Sequence, residues 1–156
     1  SKESISYPVD TFLRLPLYLQ EAKRNDEAWR EFNVLLTEGY PNQTKDPELI
    51  PMDHASIYDK MRLFLQREGK NVLAVRFGIF SWLSSLVGLY RQKRIDQLTA
   101  YSSLKDYKDT IRIMLRKAQK EELLEQLIGI MEEHINNLPN VDFTSLSTEI
   151  DSLGLK

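Results

Sequence analysis

From Asn71 to Tyr90 the chain reads NVLAVRFGIFSWLSSLVGLY, and Arg91, Lys93 and Arg94 follow closely. A run this apolar has two destinations, the hydrocarbon of a membrane or the centre of a helical bundle, and the choice sets the fold class. A span needs about 20 mainly apolar residues, and this stretch nearly qualifies. Arg76, three serines and two glycines within it argue against lipid, because an arginine at the centre of a span costs about 2.5–3.5 kcal/mol. The neighbouring segments argue more strongly. They carry amphipathic faces that would have nothing to bury against if the apolar helix left for a membrane. A helix apolar nearly all round, set between amphipathic ones, belongs in the middle of a bundle. The expectation is an all-α fold without a transmembrane span. It is a single-domain bundle of about six to seven helices, residues 1–156, around a buried central helix at about 71–90.

The rest of the chain follows the helical period. Asp10 is placed to cap a first helix, which Pro16 must kink or restart. Asn25-Asp26-Glu27 opens a second helix with acid in its first turn, where the helix dipole favours it, and Trp29, Phe32 and Leu36 fall on one side. Residues 39–51 hold three prolines and form the longest loop, read as a plain connection. Asp53 is expected to cap a helix that runs to Glu68 and stops at Gly69. Within the central helix, Ala74, Gly78, Ser81, Ser85 and Gly88 form a stripe of small side chains along which another helix can approach closely. Leu104, Tyr107, Ile111, Met114, Leu115 and Ala118 line one face of the next segment. Leu123, Leu124, Leu127, Ile128, Ile130, Met131 and Ile135 line the one after it, as one bent helix or two. Asn137–Asn140, with Pro139 inside, ends that region, and Asp142 opens a short closing helix with Gly154 as its stop.

Catalytic chemistry finds few parts. The chain has no cysteine, which removes disulfides, thiolate nucleophiles and thiolate metal sites and suits a reducing cytoplasm. It starts at Ser1 rather than at a methionine, as a piece cut from a longer protein would. His54 and His134 are the only histidines. Neither stands in metal-ligand spacing, and His134 shares an apolar face with Leu127, Ile130 and Met131, where a satisfied core role is expected. No phosphate loop, nucleophile elbow or dinucleotide fingerprint occurs, and no cofactor is implied. Glu121-Glu122 and Glu132-Glu133 read as solvated helix faces. Arg76 is the odd residue, a guanidinium on an apolar face that must be paired. It is either a structural ion pair or a recessed anchor for a carboxylate on a partner.

The net charge of −2 hides a division. Residues 1–90 carry 11 basic and 12 acidic side chains. Residues 91–120 carry nine basic against three acidic, and residues 121–156 carry one against eight. In the basic block Lys105, Lys108, Arg112 and Arg116 step by three, four and four into one stripe. That stripe can pair with the acidic region that follows, dock an acidic segment of a partner protein, or hold phosphates. The functional expectation is a non-enzymatic helical protein-interaction or regulatory module with Lys105, Lys108, Arg112, Arg116 and Arg76 as its partner-binding candidates. A helical nucleic-acid-binding module using the basic stripe of residues 91–120 is the alternative, and an enzyme with a dispersed site is the third reading.

Overall fold

A computed structural model describes residues 8–96, 98, 104–138 and 140–156, the side chains of 104–106 excepted. The helices are α1 (Pro8–Phe12), α2 (Arg14–Glu21), α3 (Asn25–Thr37), α4 (Ile50–Arg67), α5 (Asn71–Arg91), α6 (Leu104–Lys117), α7 (Leu124–Ile135) and α8 (Phe143–Ser152). A 3₁₀ turn, Glu121–Leu123, leads into α7. Leu13 alone separates α1 from α2, which form one broken helix, and the described residues contain no strand. The protein is all-α, as the periodicity requires.

α5 is the central helix. On one side Ala74 joins a core of Val9, Leu13, Ala28, Phe32, Leu35, Ile57, Met61, Phe64 and Leu65 from α1 to α4. On the other, Val75, Ile79, Phe80, Trp82, Leu83 and Leu86 meet Ile111, Met114 and Leu115 of α6, Leu127 and Met131 of α7, and Leu146 and Ile150 of α8. Aromatic rings bridge the two cores: Trp29 meets Phe77 edge-on at 5.3 Å, Phe77 meets Phe80 at 5.8 Å, and Phe80 meets Phe143 at 5.4 Å. By length and composition α5 could cross a membrane, with a mean hydropathy of 1.7, but 67% of its most apolar window is buried by the other helices.

The small-residue stripe of α5 does what its spacing predicts. The Ser81 hydroxyl donates to the Ala55 carbonyl of α4 at 2.7 Å, a distance only a close helix crossing allows. At Gly88 a Cβ would fall 2.6 Å from the Met52 sulfur, so the Met52 side chain of α4 packs in the space a side chain there would take.

Several element ends differ from expectation. α4 begins at Ile50, not at Asp53, because Pro51 in its first turn has the backbone angle a helix start needs. Asp53 is therefore not a cap. It is buried and accepts hydrogen bonds from the Tyr40 hydroxyl at 2.8 Å and the Gln43 amide at 3.1 Å, pinning the loop before α4. α1 begins at Pro8, which puts Asp10 in its first turn rather than at its cap, and Pro16 falls in the first turn of the restarted α2. The segment after residue 104 is two helices, not one bent helix. Gln119 takes a positive φ of 57° between them, and the Lys120 amide reaches back to the Leu115 carbonyl. At the closing helix Asp142 does cap, accepting from the backbone amides of Thr144 and Ser145, and Gly154 follows with φ +86°. Pro139 lies outside the described residues.

Candidate functional site: a groove over the central helix

The five residues singled out from the sequence divide. Arg76 is inside the fold. Its side chain is 14% exposed and ion-paired with Asp151 of α8, with Nη1 donating to Ser147 Oγ at 2.9 Å and Nη2 to the Leu155 carbonyl at 3.3 Å. A guanidinium so held closes α8 against α5. On the stripe, Lys108 pairs with Glu125 of α7 at 2.9 Å and Arg116 with Glu121 at 3.0 Å, while Arg112 pairs with Asp109 on its own helix at 2.6 Å. The acidic region folds back along the basic one, the internal arrangement weighed from the sequence. The charge-assisted contacts with Lys108 and Arg116 hold the Glu125 and Glu121 carboxyls below their ordinary range. Lys105 belongs to α6, but its side chain lies outside the described residues.

His134 is buried with its Nε2 at 3.3 Å from a Glu149 oxygen across α7 and α8. Burial lowers the His54 pKa, and the Asp53 charge and the Leu36 carbonyl offset only part of that. Burial, reinforced by the Asp53 carboxylate to which Tyr40 donates, pushes the Tyr40 hydroxyl up to about 12. Among the described residues no group of three or more His, Asp or Glu side chains could hold a metal ion.

A different feature stands out. α4 and α6 flank α5, and between them runs a groove of about 600 Å³. Gly78, Ser81, Trp82, Ser85 and Leu89 of α5 form its floor. Met52, Asp59 and Arg62 of α4 line one wall; Tyr107, Thr110, Ile113, Met114 and Lys117 of α6 line the other. The floor is built from the small-residue stripe. A Cβ at Gly78 would sit 2.5 Å from the Met114 sulfur, so glycine is what leaves Met114 its place in the wall. Trp82, 8% exposed, stacks flat on Tyr107 with centroids 4.2 Å apart and planes 7° apart. The Tyr107 hydroxyl donates to the Gly78 carbonyl at 2.7 Å, and burial raises its pKa. Ile113 is 53% exposed on the rim.

Sequence reasoning missed this groove because its residues come from three helices. One signal was present: Ile113 stands on the opposite side of its helix from Ile111, an apolar residue off the core face. Comparison of the chain with family models, curated proteins and solved structures gave no match.

Proposed function

We propose that the protein is a non-enzymatic protein-interaction module that docks an acidic partner segment in the α4–α5–α6 groove, not on the basic stripe. The observation that carries this reading is a contrast in pairing. Lys108, Arg112 and Arg116 each already hold a carboxylate of this chain. The groove offers a floor whose two serine hydroxyls already donate to backbone carbonyls, with Lys117 and Arg94 on its margin, and among the described residues neither cation makes an ion pair. Its one lining carboxylate among those residues, Asp59, is held by Arg62 at 2.9 Å. A concave, mostly apolar site with a few polar groups at its rim is the usual form of a binding pocket.

The test is site-specific photo-crosslinking in extract with and without nuclease treatment, with a crosslinker at position 113 or at position 108. Discrete protein adducts from 113 and none from 108 are expected. Adducts from 108 alone, or adducts that vanish with nuclease, overturn the assignment and favour the stripe or nucleic acid.

A further inference from the structure

We infer that the occupant of the groove is an amphipathic α-helix of about three turns, apolar on its buried face and acidic toward its ends. This rests on the docking reading above and adds the conformation and charge of the partner.

The walls decide the conformation. They are helices, whose backbone groups bond within each helix, so no strand edge is offered. The carbonyls nearest the floor take further donors as well: Gly78 accepts from Tyr107, Ala55 from Ser81, and Ser81 from Ser85. An extended segment laid there would bury a row of amide and carbonyl groups against Trp82, Leu89, Met114 and Ile113 with only scattered side chains such as Gln66 and Thr110 to bond them, which is unfavourable. A helix arrives with its own hydrogen bonds made and presents only side chains. The floor runs from Gly78 to Leu89, about 16 Å at the helical rise, which matches a partner of about three turns.

The charge follows from the margins. Lys117 stands at the Gly78 end, where Met114 packs against that glycine, and Arg94 lies just beyond the Leu89 end. With Asp59 neutralised by Arg62, the groove carries at each end a cation that has no ion pair among the described residues, and carboxylates on the partner complement it. Met52 of α4 lies against Gly88 near one end of the floor, and Met114 of α6 lies against Gly78 near the other. Their flexible thioethers accommodate more than one pattern of apolar side chains, so the charges at the ends carry much of the selectivity.

The experiment selects from a displayed library of peptides with leucine at i, i+3, i+4 and i+7 and randomised flanks, using the intact protein. The best binder is then synthesised in three forms: as selected, with a central proline, and with its acidic residues changed to lysine. Binding is read from Trp82 emission in a Trp29→Phe background and by calorimetry. Selection of acidic flanks is expected, with both altered peptides weaker by roughly tenfold or more at low salt. Ile113→Glu and Lys117→Glu should each abolish or sharply weaken binding while the melting temperature holds. Equal binding of the proline form overturns the helix and leaves the docking reading standing. Binding that survives Ile113→Glu overturns both. Basic or neutral flanks overturn the charge assignment, and a library that yields no groove-dependent binder overturns the inference as a whole.

Discussion

The two flanks of α6 carry opposite lessons. One holds Lys108, Arg112 and Arg116, the densest charge in the chain, and each of the three already has a carboxylate. The other holds Tyr107, Thr110, Ile113 and Lys117 and borders the groove. Charge density marks where a chain could attract a partner, but the fold has supplied the partner on the first flank. The second flank is less conspicuous in sequence and remains available. Pairing, not composition, separates them.

The largest expected effect tests whether the groove floor is also part of the fold. Trp82→Ala removes a side chain stacked on Tyr107 and 8% exposed. It should lower stability by about 3–5 kcal/mol in denaturant unfolding. A variant melting with the parent would mean that the groove wall stands without its stacked pair.

Next comes the ion pair that fixes α8. Asp151→Ala leaves the largely buried Arg76 with Ser147 and a backbone carbonyl only. The loss should be about 2 kcal/mol, below the full cost of breaking a buried pair because Asp151 is 40% exposed. Groove binding should not change. If it does, the far side of α5 is coupled to the groove and the two cannot be compared as independent surfaces.

The stripe provides the sharpest division. Lys108→Glu combined with Arg112→Glu should lower the melting temperature slightly, by an amount that disappears at high salt, and leave groove binding intact. Loss of binding with stability preserved would reverse the assignment of the two flanks. Acid should act in the same direction as the charge reversal. The folded-state pKa values of Glu121 and Glu125 lie below the ordinary range. Their stabilisation is therefore complete above about pH 4.3 and fades as pH falls through the folded values. The double variant should show a flatter decline over that window.

Two smaller effects complete the set. His54 is a base with a lowered pKa, so the unfolded chain takes up its proton first as pH falls through about 6.5. Stability should drop there, and His54→Gln should remove that slope from a pH series of melting temperatures. Ile113→Glu, on the exposed rim, should change stability by no more than about 0.5 kcal/mol, which makes it the cleanest probe of the groove.

Helices legible in the sequence were those whose signals are local. The apolar run at 71–90 became α5, Gly69 ended α4 with φ +73°, and Asp142 capped α8. Less legible were the ends of α2, α5 and α6, which turn through Lys23, Lys93 and Gln119 at positive φ where a glycine would be the usual sign. In each, an amide three residues past the helix reaches a carbonyl of its last turn, at Arg24 to Leu19, Arg94 to Leu89 and Lys120 to Leu115. A turn closed by these backbone bonds can hold a lysine or glutamine where local preference alone favours glycine.

The sequence by itself determined the all-α class, the central helix and the stripe of small residues, because helical period and side-chain volume are properties of neighbours along the chain. The tertiary structure decided which cations are paired and which are not, that Arg76 closes α8, and that the small stripe floors an open groove. Those outcomes depend on which helices lie side by side. Residues as distant as Arg76 and Asp151, or Gly78 and Met114, meet only after the bundle has formed.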